Sequence, residues 1–278
     1  MYRSDMFTPE LVFYIGSTLL EGPVWDAKNE LIYCISITDE IIYQLNTDTT
    51  EIKTFKTDGH VGAVVLDSEG MLLSAEKNGI FRIDPETGER TPVTHPNKDM
   101  RLRYNDGKLD PEGRFFVGTM GQDEIIENAA ELYVIENGEA EVVLDNLSFS
   151  NGLGWSRDGK KFYHIDSATK TVKKYDYDSE TKQVANGKVL VELTDGSTPD
   201  GLCVDICDDI WVAEYGGGKI CKWDSKTGEK IFEIPMPATN VTSCCIGGKE
   251  NEFLYITTAK DHEDEEDLSG GLFRVRIR

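Results

Sequence analysis

The chain has 278 residues, 39% of them hydrophobic, and a formal charge of −22. That apolar share supports a sizeable core and excludes global disorder, while the charge excludes nucleic acid and anionic membrane surfaces as partners. No apolar run approaches the roughly 20 residues of a membrane span, and the six cysteines, with no CxxC pair, point away from a disulfide scaffold or structural zinc and toward a reducing cytoplasm.

The first element in chain order is "LVFYIGSTLL". Asp5 and Glu10 precede it and no small-residue cleavage pattern follows, so it reads as a strand and not as a signal peptide. Short runs rich in β-branched and aromatic residues then follow one another, separated by Gly, Asn or Asp: "ELIYCISI", "IIYQL", "EIKTF", "MLLSA", "IFRID", "RFFVGTM", "ELYVI", "KFYHID", "TVKKYDY", "DIWVAEY", "KICKWD" and "FLYITTA". No segment shows a sustained helical period.

The turns recur. "DAKNELIYC", "DSEGMLLSA", "DPEGRFFVG", "SRDGKKFYH" and "DICDDIWVA" share one layout, in which an acid or Ser leads a tight turn into a strand. Copies begin roughly 41 to 49 residues apart, the length of a four-stranded propeller blade. About six copies fit. The last ends one strand early, and the N-terminal "ELVFYIGS" is placed to supply that strand and close the ring, which removes exposed sheet edges. The predicted fold is an all-β, six-bladed propeller with four antiparallel strands per blade, one domain over residues 1–278.

Polar residues converge at one level of this repeat. Stepping back about five residues from Asp26, Asp110, Ser156 and Asp205 gives Glu21, Asn105, Asn151 and Asp200, each ahead of an innermost strand. The second and sixth copies place Gly62 and Val241 there. Two carboxylates and two amides around one axial point form an oxygen-only donor set suited to a hard divalent cation and not to tetrahedral zinc. The bland alternative is that all four cap turns. "RYNDGKLD" (residues 103–110) poses that choice most sharply, because Asn-Asp-Gly is a hairpin signal. The expectation is that turn and site coincide, a tight bend aiming Arg103 and Asn105 into the channel.

The phrases "LEGPVWD", "RYNDGKLDPEGRFFVGTM", "SNGLGWSRDGKKFYHIDS", "PDGLCVDICDDIWVAEYGGGKICKWD", "VTSCCIGG" and "GGLFRVRI" together resemble the gluconolactonase, regucalcin and senescence-marker-protein family over essentially the whole chain. The resemblance implies one divalent metal ion on the axis, Ca²⁺ first, with Mg²⁺, Mn²⁺ or Zn²⁺ as alternatives. It assigns Glu21, Asn151 and Asp200 as metal ligands, Asp200 also as the catalytic carboxylate, and Arg103, Asn105 and Asp123 as substrate contacts. Asp123 stands where some relatives have Glu, and Ser36 where family members usually carry Asp, a departure expected at the pocket wall.

The implied reaction is hydrolysis of a sugar lactone to its aldonic acid, with the ion polarising the carbonyl and Asp200 activating water. The implied partner is that small molecule, with the protein a monomer or weak homo-oligomer. Two alternatives stay open: lactone or organophosphate ester hydrolysis at the same site, and a non-catalytic calcium-binding scaffold. Other features read as structural. The acidic run from Lys260 to Gly271 lacks calcium-loop spacing, Gly216 to Gly218 form a hairpin turn, the four histidines show no triad or metal spacing, and Trp25, Trp155, Trp211 and Trp223 pack between blades.

Overall fold

The computed structural model describes residues 6–260 and 268–278; most of the acidic run lies outside them. Among the described residues, strands β1 to β24 in chain order form six four-stranded antiparallel sheets, with no helix beyond a single 3-10 turn at Ser167–Thr169. Five sheets are simple meanders built from consecutive strands. The sixth has the order β22 (Asn240–Gly247), β23 (Phe253–Ala259), β24 (Gly271–Arg276) and then β1 (Glu10–Tyr14). The first strand pairs antiparallel with the last, Glu10 opposite Arg274 and Tyr14 opposite Gly271, so the N-terminal segment closes the ring as expected.

The six innermost strands are β2 (Leu20–Asp26), β6 (Val61–Leu66), β10 (Leu102–Leu109), β14 (Ser150–Trp155), β18 (Thr198–Val204) and β22. Burial falls from axis to rim. Every residue of β14 is buried, whereas β17 (Gln183–Glu192), the outermost strand of the same blade, is mostly exposed or half-buried. The apolar residues gather into six clusters, each lying between two neighbouring blades. Blades three and four, for example, meet through Phe116, Leu132, Val134, Leu153, Trp155 and Phe162. Apolar burial therefore holds the blades face to face around the ring. The tryptophans take part: Trp25 of blade one stacks on Tyr255 of blade six at 5.7 Å between ring centroids, and Trp155 meets Phe116 edge-on at 5.0 Å.

All six inner strands are bulged at one height. Pairing with the second strand shifts register between Glu21 and Val24, Val61 and Ala63, Tyr104 and Gly107, Ser150 and Leu153, Pro199 and Leu202, and Val241 and Ser243. A bulge leaves its extra residue unpaired and re-aims the side chain. The fold thus repeats, six times around the axis, a device that turns side chains off the sheet.

This corrects the reading of "RYNDGKLD". No tight bend lies inside it, because β10 runs through Leu102–Leu109 and the turn comes after, at Asp110 to Gly113. Gly107 serves close packing. A Cβ there would stand 2.8 Å from the Phe115 ring and from the Phe116 carbonyl oxygen. Gly152 shows the same cause, since a Cβ would meet the Asp200 carbonyl oxygen at 2.6 Å. Gly152 and Gly201 let neighbouring inner strands approach one another near the axis, and Gly107 lets its strand lie against the second strand of its own blade, which hairpin statistics cannot distinguish from a turn.

Candidate active site

Four of the expected residues stand at the bulges. Glu21 borders the one in β2, Asn105 lies within that of β10, Asn151 within that of β14 and Asp200 within that of β18; all four are buried. Asn151 Nδ2 donates to Asp200 Oδ1 at 2.6 Å and to Ser167 Oγ at 3.1 Å. Glu21 Oε2 accepts from the Gly22 N–H at 2.7 Å, and its carboxyl is in hydrogen-bond contact with that of Asp200. Arg103, 8% exposed, donates through Nη1 to Asn105 Oδ1 at 2.9 Å, and Asn105 Nδ2 in turn donates to the Ser150 carbonyl at 2.9 Å. These five side chains form one continuous polar cluster drawn from blades one, three, four and five.

Asp106, adjacent to Asn105 in the same bulge, is a third buried carboxylate within electrostatic reach of Glu21 and Asp200. In the sequence it reads as a turn residue, between Asn105 and Gly107. Only the bulge, which has no local sequence signature, turns it inward.

Burial and mutual repulsion dominate the electrostatics. Burial first, then the Asp200 and Asp106 charges, hold the Glu21 carboxyl well above its ordinary value. Burial and then Asp106 push Asp200 up to about 8. Two interacting carboxyls of this kind hold a proton between them and titrate as a pair. Arg103 is brought down to about 10 by burial, opposed by Glu21 and Asp200, and so stays cationic at neutral pH.

A divalent cation fits this donor set, and one atom argues for it independently. Asn151 Oδ1 is buried with no hydrogen-bond partner, and an orphaned buried acceptor costs about 1–3 kcal/mol. That oxygen belongs to an amide whose nitrogen already bonds Asp200, beside two repelling carboxyls. A cation bounded by Glu21, Asn151 and Asp200 would satisfy the orphan and relieve the repulsion together.

Not every expected residue joins the cluster. Asp123 is exposed in the segment after β11 (Phe115–Gly121), with no hydrogen bond or ion pair among the described residues. Ser36 is fully buried, its hydroxyl engaged by Ser17 at 2.6 Å and Asp39 at 2.5 Å. At this position of the Asp-to-Ser departure the serine is held inside blade one, opposite Leu20 and one residue from the partner of Glu21. A second group with metal-ligating atoms, Asp205, Cys207 and Asp209, lies in the turn after β18. It already holds a cation, because Lys222 Nζ sits 2.8 Å from Asp205 and 3.0 Å from Asp209.

Known proteins share this chain's fold and sequence pattern. A model of the SMP-30/Gluconolactonase/LRE-like region matches residues 19–260. The chain belongs to that family. Regucalcin of Danio rerio is 35% identical over 254 residues, covering 90% of this chain and 85% of its own. Among solved structures, a luciferin-regenerating enzyme superposes with a TM-score of 0.89 at 25% identity, covering 97% of this chain and 95% of that one. A calcium-binding protein, regucalcin from Agrobacterium tumefaciens, superposes with a TM-score of 0.90, covering 97% and 93%; at 23% identity it speaks for the fold alone. The family's matched region runs from just ahead of Glu21 to Lys260, just past β23, and so contains the whole cluster.

Proposed function

We propose that this member of the gluconolactonase-like family hydrolyses a sugar lactone to its aldonic acid at one divalent ion held on the propeller axis. The observation that carries the proposal is the orphaned Asn151 Oδ1 beside the repelling Glu21 and Asp200 carboxyls. Glu21, Asn151 and Asp200 are the residues that would hold the ion, with Ca²⁺ preferred because every donor is a hard oxygen. When bound, the ion supplies Lewis acidity at the lactone carbonyl.

The chain's own groups do the rest. Asp200, relieved of its shared proton, accepts a proton from the attacking water. Arg103 and Asn105 are already locked to one another, so the guanidinium presents its remaining donors in a fixed direction toward ring oxygen and hydroxyls. Asp123, exposed outside the buried cluster, would contact an outer hydroxyl. The −22 net charge favours cation capture and a neutral lactone over anionic substrates. The free thiols, most of them buried, suit a reducing compartment such as the cytoplasm.

A pH-stat panel of aldonolactones, with and without Ca²⁺, Mg²⁺, Mn²⁺ and Zn²⁺, tests the reading. Ion-dependent acid release on at least one aldonolactone is the expected result. Ion binding without turnover on any lactone would instead support a calcium-binding role, the one named for a structural neighbour.

A further inference from the structure

Immediately beyond the acidic cluster the channel is crossed by a lysine. Lys108, half-buried on β10, sends Nζ to the Leu202 carbonyl oxygen at 2.6 Å. Leu202 lies on β18, so this bond runs from blade three to blade five past the inner strand of blade four. Its two ends are informative. Lys108 is three residues beyond Asn105 and two beyond Asp106, while Leu202 is two residues beyond Asp200. Past Lys108 the channel opens into a cavity of about 530 Å³, lined by all six inner strands and including Trp25, Leu66, Leu109 and Cys245. Glu21, Asn151, Asp200 and Arg103 do not line it; Asp106 and Lys108 do. The lysine stands at the boundary between the polar cluster and a largely apolar chamber.

No carboxylate lies within ion-pair distance of Lys108 among the described residues, yet its charge acts on Asp106. Near the axis Arg103 is the cation that Glu21 and Asp200 act on, and Lys108 is the one that acts on Asp106, itself a neighbour of both acids. An ammonium held this way offsets acidic charge without occupying the ligand oxygens. It also ties the strand bearing Arg103 and Asn105 to the strand bearing Asp200, fixing their relative height.

We propose that Lys108 is a positioning residue, a tethered cation that closes the floor of the site and holds the substrate-orienting strand and the catalytic strand in register. The catalytic half of this inference rests on the lactonase reading; the electrostatic half does not. The two effects have opposite signs. Removing the ammonium takes one positive charge away from the ion's neighbourhood, so the divalent ion binds more tightly. It also frees β10 and β18 to shift, so turnover falls because reacting groups must be held within a fraction of an ångström.

The test compares Lys108→Met, which keeps the stem and removes charge and donor, with Lys108→Arg, which keeps both. Calcium affinity is measured by calorimetry, and lactone kinetics at saturating ion. Lys108→Met should bind Ca²⁺ on the order of tenfold more tightly while its kcat falls on the order of tenfold with little change in KM; Lys108→Arg should restore wild-type ion affinity. A lysine that merely filled space would, when replaced, loosen the site and weaken ion binding. Unchanged or weaker calcium affinity in Lys108→Met therefore overturns the proposal, and unchanged kcat removes the positioning role. Should the wild-type protein turn over no lactone, the functional reading fails separately, and the calcium titrations still decide the role of the charge. Should Lys108→Met not fold, Lys108→Gln carries the same affinity comparison.

Discussion

The two ends of the inner strands both carry buried acids, and they use them in opposite ways. At the end with the turns, each carboxylate is surrounded by donors. Asp110 accepts from the Glu112 and Arg114 N–H groups, the Arg114 guanidinium and the Tyr177 hydroxyl. Asp205 accepts from two backbone N–H groups and Trp211 Nε1, and pairs with Lys222. At the bulged end, Glu21, Asp106 and Asp200 face one another, with few donors and one orphaned amide oxygen. The lesson is that burial of an acid says little by itself. An acid that its own chain satisfies is structural, and a group of acids that only an added cation would satisfy is a site.

Substitutions can break this contrast. Asp200→Ala should lower lactone turnover by at least about a thousandfold, since it removes both a proposed ligand and the proposed general base; near-native turnover in steady-state assays would dissolve the distinction. Asp110→Ala should do the converse. It leaves Arg114 buried and unpaired, at a cost of about 3–5 kcal/mol in chemical denaturation, with turnover of the folded fraction retained.

Asp200→Asn in ion-free buffer should be more stable than the parent above pH 8, by about 1–4 kcal/mol. The sign follows from the raised carboxyl. The folded state holds its proton up to about 8 while the unfolded state releases it near 4, so the parent loses stability as pH rises across that window. A parent curve that is flat over that range would contradict the repulsion. Arg103→Ala should raise KM about tenfold for polyhydroxylated lactones and leave small lactones less affected. Asp209→Asn, at the lysine-filled turn, should leave calcium affinity unaltered in calorimetric titration.

Much of this was readable in the sequence. The strand runs and recurring turns specify six blades because each copy repeats the same alternation, and the missing last strand pointed to the N-terminus. Glu21, Asn105, Asn151 and Asp200 were found because the repeat supplies a ruler. The bulges were not legible, since an extra residue in a strand leaves no composition signal, so Asp106 passed for a turn residue. Lys108 was equally hidden. Its role depends on a bond between blades three and five, and nothing near residue 108 names Leu202 as its partner.

The most direct test of the contrast is anomalous scattering from crystals soaked in Mn²⁺ at low millimolar concentration. The account predicts a peak on the axis bounded by Glu21, Asn151 Oδ1 and Asp200, and none at the Asp205–Asp209 turn. A peak at that turn with an empty axis would contradict it.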